Sequence, residues 1–339
     1  MAEALGGSDI SKMRIMKLEE VEHLGICCGN LSYYSPATQK SFVLLRAGEY
    51  ILPSFITKYR ERGFKSFYYD SQINEDEILK WTQMWKRFQE ASNEFEGHQI
   101  KDEIMQMFRD CLIEGKHHGS LLAYVNATNA VFGGLNIDYI SDYASKEYTL
   151  LKRSLIVASM AIPLVVSLGY IDFSFIKDLY NTILQLDYSF AGKKFTLNVK
   201  NALELEGQES GLGLKYLQEK SPREVISFTG TVEAAADEIK AYTCSNSQVA
   251  SLIQIYRASL STKMHSAEMI DWVAAVIFID RMVSFNDFDF KPNDGAGYLG
   301  SLIKKNWNDR FLQSYGFKKI RTALVDYWEL KLEISKGVA

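Results

Sequence analysis

Asp280 is the residue whose surroundings most demand a chemical explanation. It lies among Val276, Ile277, Phe278, Ile279 and Met282, so its carboxylate is expected in an apolar interior. A carboxylate there needs a metal ion, a cation or a proton beside it. A guanidinium is well suited, because it combines a permanent charge with several donors. Histidine and cysteine are the other residue types here that could bind metals or attack a substrate. His23, His98 and His265 are each isolated, and His117-His118 sits in the polar, turn-like stretch Glu114-Gly115-Lys116-His117-His118-Gly119. That context favours a solvated connection between helices over a metal site. Cys27, Cys28, Cys111 and Cys244 show neither Cys-x-x-Cys spacing nor the density of a disulfide framework. Small buried thiols in a reducing compartment are the expected state.

The elements that position these residues change character along the chain. Residues 1–13 are small and polar and are expected to form a flexible lead-in. Residues 14–72 read as a small α/β module. Within it, β-leaning runs at Gly25–Tyr34 and Ser41–Leu45 flank a hairpin loop, Ser35 to Lys40. A helix starts at Pro53 and stops before Gly63, and a further strand covers Lys65 to Tyr69. From Glu75 the period becomes helical, with Ile78, Trp81, Trp85, Phe88 and Phe95 near one face. That stripe, in a helical linker region spanning 73–145, reads either as packing or as a partner surface made by Trp81, Trp85, Phe88 and Phe95. Further helices are expected at about 121–133, 136–146, 147–168, 173–186, 196–205, 231–242, 247–260, 265–285, 297–305 and 308–333. Long loops are expected at Gly207–Gly213 and Asn286–Gly297. The fold class is therefore α+β: a small N-terminal α/β module followed by a larger all-α domain over 146–335.

Composition narrows the classes of function. With 339 residues, 47% of them apolar, the chain can bury a substantial core. A formal charge of −4 gives no electrostatic case for nucleic acid or an anionic membrane surface. The start of the chain has no continuous apolar segment of a secretory leader. The run Leu155–Leu168 is short for a membrane span and carries Pro163. A cytoplasmic protein with no membrane insertion is expected.

The stretch Arg153-Ser154-Leu155-Ile156-Val157, the apolar run to Leu168-Gly169, and Phe173 through Leu186-Asp187-Tyr188-Ser189 resemble the first half of an HD-type phosphohydrolase core. The resemblance is strongest to the HD-GYP branch, which cleaves cyclic di-GMP. In that family a helix opens with His-Ser-x-x-Val and ends at Leu-Gly, and a second helix ends in His-Asp. The order of the N-terminal module, with Leu-Leu-Arg-Ala-Gly-Glu at 44–49 and Gly-Phe-Lys-Ser-Phe-Tyr-Tyr at 63–69, is similar to the module preceding some bacterial HD-GYP cores. HD enzymes use bound metal ions to polarise a phosphodiester and to generate a hydroxide nucleophile.

Carried over by position, the resemblance implies a site whose imidazoles are missing. Arg153, or Lys152, stands where the opening histidine belongs, and Leu186 stands beside Asp187 in place of the His-Asp histidine. Glu147 is near the family's upstream acidic ligand. Ile255-Tyr256-Arg257 corresponds to a later His-His-Glu, and Asp280 to the last aspartate. The middle histidine has no counterpart, since no histidine lies between His118 and His265. Asp294-Gly295-Ala296-Gly297-Tyr298-Leu299 resembles the Asp-Gly-x-Gly-Tyr-Pro loop but lacks its proline and follows Asp280. It reads as a turn leading into a helix.

Glu147, Arg153, Leu186, Asp187, Tyr256 and Asp280 thus form an expected vestigial site with no catalytic residue, metal or cofactor. Arg153 is expected to approach Asp187 or Asp280. The function implied is that of a catalytically inactive HD-GYP-like protein, comparable to HDOD domains, that binds or scaffolds protein partners in bacterial signalling. Two alternatives stay open. One is a cyclic di-GMP phosphodiesterase using Glu147, Asp187, Tyr256 and Asp280 as unorthodox ligands. The other is a nucleotide sensor that binds phosphate through Lys152, Arg153 and Arg257 without hydrolysis.

Overall fold

A computed structural model describes residues 4–5, 13–22, 25–71, 73–91, 93–115, 121–135, 137–185, 270–283, 297–307, 313 and 315–324. Its layout is α+β, with a small antiparallel sheet near the N-terminus followed by helices. The strands are β1 (Ala4–Leu5), β2 (Arg14–Lys17), β3 (Gly29–Ser35), β4 (Lys40–Leu45) and β5 (Ser66–Ser71), ordered β1-β4-β3-β5-β2. The β3–β4 hairpin closes where the Ser–Pro–Ala–Thr–Gln stretch predicts, with Ser35 opposite Lys40. Strand β2 is not announced by the sequence, because four residues are too few to display an alternation. It is created by pairing with β5, Ile15 against Tyr68 and Met16 against Phe67.

Two short helices, α1 (Leu18–Glu22) and α2 (Pro53–Glu61), complete the module. Pro53 opens α2, where a missing N–H costs nothing. Met16, Leu18, Val21, Leu31, Ile56, Phe67 and Tyr69 form a core of its own.

The helical body begins with α3 (Glu75–Glu90) and α4 (Glu94–Phe108), which ends in a π-helical turn, Arg109–Ile113. Both helices open on an asparagine cap. Asn74 Oδ1 accepts from the Asp76 amide at 3.0 Å, and Asn93 Oδ1 from that of Glu96 at 2.9 Å. Then follow α5 (Leu121–Phe132), α6 (Ile137–Ser167), α7 (Phe173–Gln185), α8 (Asp271–Met282), α9 (Tyr298–Asn306) and α10 (Lys318–Thr322), numbered among the described residues. Helix α9 starts at Tyr298, after Gly297 in a left-handed conformation, and 286–296 of the loop expected before it lie outside the described residues. The Gly297 amide donates to the Cys111 carbonyl at 3.0 Å. A Cβ on Gly300 would collide with the Ile113 carbonyl, so α9 meets the π-helical turn backbone to backbone.

Three expectations change. The helices expected at 136–146 and 147–168 are a single helix, α6, 31 residues long. Its polar middle reads as a break, yet Ser145 Oγ donates to the Asp142 carbonyl at 2.8 Å and Lys146 pairs with Asp142 at 2.6 Å. Such local bonds are compatible with an uninterrupted helix on an exposed face. Of the helix expected at 308–333, the described residues show a 3-10 turn at Tyr315–Phe317 followed by α10 from Lys318, and 308–312, 314 and 325–333 lie outside them. The stretch 73–145 is no linker: Trp81, Trp85, Phe108, Tyr124 and Phe132 share one apolar cluster with Ile156, Ile176 and Ile279. The helices expected at 196–205, 231–242 and 247–260, and the loop at 207–213, lie outside the described residues.

Within α6, Leu150–Ser167 is long and apolar enough to cross a membrane, but 89% of it is buried inside the fold. Burial by α5, α7 and α8 accounts for its composition.

Candidate functional site

Arg153 projects from the middle of α6, between Leu151 and Leu155, and is only 1% exposed. Its guanidinium meets the Asp280 carboxylate on α8, with Nη2 to Oδ1 at 2.8 Å. The same nitrogen donates to the Asp280 carbonyl at 2.7 Å, and Nε donates to the Val283 carbonyl at 3.1 Å. Val283 is the C-cap of α8, so the guanidinium occupies the end of a helix where carbonyls lack intrahelical donors. A cation is also favoured there by the helix dipole. Arg153 thus performs two tasks with one group: it balances a buried carboxylate and serves the end of a helix.

The expected approach of Arg153 to an aspartate therefore occurs, with Asp280. Leu186, Asp187, Ile255, Tyr256 and Arg257 lie outside the described residues. Glu147 lies on α6, six positions before Arg153. Lys152 is half-buried with its Nζ 5.3 Å from the centre of the Tyr148 ring. Lys152 and Arg153 consequently do not form a joint phosphate cradle, because the Arg153 guanidinium is directed into the α6–α8 interface. Among the described residues no group of three or more His, Cys, Asp and Glu side chains converges as a metal would require. His98 lies on the surface, 3.8 Å from Glu94 one turn earlier.

The aromatic stripe on α3 is not a partner surface. Trp81, Trp85 and Phe88 are buried, and only Phe95, on α4, is exposed, at 73%. The Trp81 ring meets Tyr124 at 4.7 Å, and that of Trp85 meets Phe132 at 5.0 Å, both edge to face. Helical period shows that these rings share a face but not what covers it, and α5 covers it.

The same interface holds a polar chain that the sequence reading missed. Trp85 Nε1 donates to Thr128 Oγ1 at 3.2 Å, and Thr128 Oγ1 donates to the Tyr124 carbonyl at 2.8 Å. Tyr124 in turn donates its hydroxyl to the Ser159 carbonyl at 2.8 Å. Ser159 is four residues before Pro163, so its carbonyl is the one whose helical donor proline lacks. Tyr124 replaces that donor. Burial pushes the Tyr124 hydroxyl well above its ordinary pKa, so it stays protonated and able to donate. Pro163 was the available signal, since a proline inside a helix implies an orphaned carbonyl four residues back.

The thiols Cys27, Cys28 and Cys111 are free and buried. Burial pushes Cys27 and Cys28 up to about 12, which makes them poor nucleophiles. Cys27 Sγ donates to the Gly29 carbonyl at 3.0 Å, and Cys28 Sγ accepts from Asn126 Nδ2 at 2.8 Å.

Compared with protein-family models, curated proteins and solved structures, the chain matches none of them.

Proposed function

We propose that this protein is a catalytically inactive, HD-GYP-like component of bacterial signalling linked to cyclic di-GMP, working in the cytoplasm by binding protein partners. The observation that carries the reading is the engagement of Arg153. The residue that stands for the opening metal ligand turns inward and binds Asp280, which stands for the last ligand. A guanidinium repels a metal cation and cannot be deprotonated to bind one. Leu186, Ile255 and Tyr256 add no imidazole at the other positions of the motif. Metal-assisted hydrolysis depends on several ligands together, so these substitutions count against an unorthodox phosphodiesterase. The sensor alternative loses the Arg153 part of its phosphate site to the same ion pair.

Elemental analysis of the purified chain and a cyclic di-GMP cleavage assay test this reading, followed by calorimetry with the same nucleotide. We expect no stoichiometric iron, manganese or zinc, no cleavage and no heat of binding. Cleavage accompanied by about one metal equivalent per chain would establish the phosphodiesterase instead. Binding without cleavage would establish the nucleotide sensor.

A further inference from the structure

Residues 25–28 and 48–51 form a short antiparallel ribbon at the edge of the N-terminal module. Ile26 bridges Tyr50, and three backbone bonds close the ribbon. Cys27 N donates to the Glu49 carbonyl at 2.7 Å, Gly48 N to that of Cys27 at 2.6 Å, and Ile51 N to that of Gly25 at 2.7 Å. Gly48 has φ +85, which a side chain would oppose. Side chains alternate along the ribbon as they do in any extended strand. Cys27 and Ile51 enter the core of the module, while Ile26 and Cys28 enter that of the helical body. Two residues of the body grip the ribbon from the other side. Asn126 on α5 donates Nδ2 to the Ile26 carbonyl at 2.8 Å and to Cys28 Sγ. The Tyr148 hydroxyl on α6 accepts from the Tyr50 amide at 2.6 Å and donates to the Gly48 carbonyl at 3.0 Å.

These grips bracket Arg153. On α6, Tyr148 is five residues before it and Ser159, held by Tyr124 of α5, is six residues after it. Asn126 stands on the same helix as Tyr124, so the ribbon holds both α5 and α6. In a closely packed interior, a segment fixed on both sides passes on a displacement instead of absorbing it.

We propose that this ribbon is a coupling strap: the N-terminal module, through Tyr148 and Asn126, sets the position of α6 and thereby the seating of Arg153 on the end of α8. Tyr148 is a positioning residue in this device, and Arg153 is the element that responds. The proposal holds whether or not the chain derives from a phosphodiesterase. It makes the module a permanent part of the helical body, so that a load on the module alters the α6–α8 junction.

Coupling between two sites must be reciprocal, and reciprocity is what the experiment reads. Hydrogen exchange is measured on the full chain as wild type, Tyr148→Phe and Arg153→Lys. Lysine keeps a charge for Asp280 but lacks the fork that also reaches Val283. Tyr148→Phe is expected to speed exchange of the Tyr50 amide and its ribbon neighbours about tenfold. It should also speed exchange at 279–283 by roughly twofold or more. Arg153→Lys should show the converse, with its larger effect at 279–283 and a smaller one in the ribbon. The amides of 80–88 in α3 serve as the reference and should be unchanged. If each substitution loosens only its own end, the strap and the Arg153 junction are separate structural features and the proposal fails. A uniform rise, including 80–88, would mean global destabilisation and would overturn it equally.

Discussion

Two places in the helical body solve the same problem by different chemistry. At the end of α8, the carbonyls of Asp280 and Val283 are served by the charged guanidinium of Arg153. In the middle of α6, the carbonyl left without a donor by Pro163 is served by the neutral hydroxyl of Tyr124. A buried charge must bring a counter-charge with it, and Asp280 supplies that counter-charge. A buried hydroxyl needs only one good acceptor. The first arrangement is therefore sensitive to the loss of either partner. The second is local and indifferent to pH over the physiological range. The difference shows that Arg153 is more than a convenient donor: a neutral side chain would have been enough for the carbonyls alone.

The largest effect should come from Arg153→Met. It leaves the Asp280 carboxylate buried without a cation and should cost about 3–5 kcal/mol in chemical denaturation. Adding Asp280→Leu should recover most of it, because replacing both members of a buried pair by apolar groups is often close to neutral. If the double variant is no more stable than Arg153→Met, the carbonyl bonds dominate and the charge of Arg153 is not what the site requires.

Tyr124→Phe should cost less, about 1–3 kcal/mol, as the price of an unsatisfied buried carbonyl at Ser159. Pro163→Ala restores the missing helical donor. In the Tyr124→Phe background it should therefore be more favourable than in the wild-type chain. A double-mutant cycle checks this, and additive effects would mean that Tyr124 and Pro163 are not linked as described.

The smallest effect at neutral pH concerns the thiols of the strap. Cys27 and Cys28 are raised from 9.0 to about 12 by burial, so the folded chain holds their protons more tightly than the unfolded one. Their contribution is fully present below pH 9 and is lost as pH rises from there toward about 12. Denaturation midpoints between pH 7 and 11 should show this fall, and a Cys27→Ala, Cys28→Ala chain should show less of it. Native thiols that react at pH 8 as fast as those of the denatured chain would contradict their burial.

Much of the architecture was legible in local pattern. The switch of period near Glu75, the hairpin residues at 35–40, Pro53 as a helix opener and Gly297 before the helix at Tyr298 each correspond to an observed element. Where reading failed, the deciding interaction was non-local. Strand β2 exists because β5 pairs with it, and α6 runs unbroken through its polar middle in a body where it packs against α5, α7 and α8. Trp81, Trp85 and Phe88 share a face by helical period, but only the packing of α5 on that face distinguishes a core from a surface.

The candidate site divides in the same way. From the sequence alone, Asp280 is a carboxylate in an apolar run that needs a partner, and Arg153 is a cation at the position of an expected ligand. Tertiary structure chose Asp280 as that partner, added the Val283 carbonyl 130 residues away, and supplied Tyr124 for the carbonyl orphaned by Pro163. Residue type and period determine what each group must find, because hydration and backbone geometry act locally. Which group it finds depends on how helices distant in sequence pack, and no local pattern encodes that.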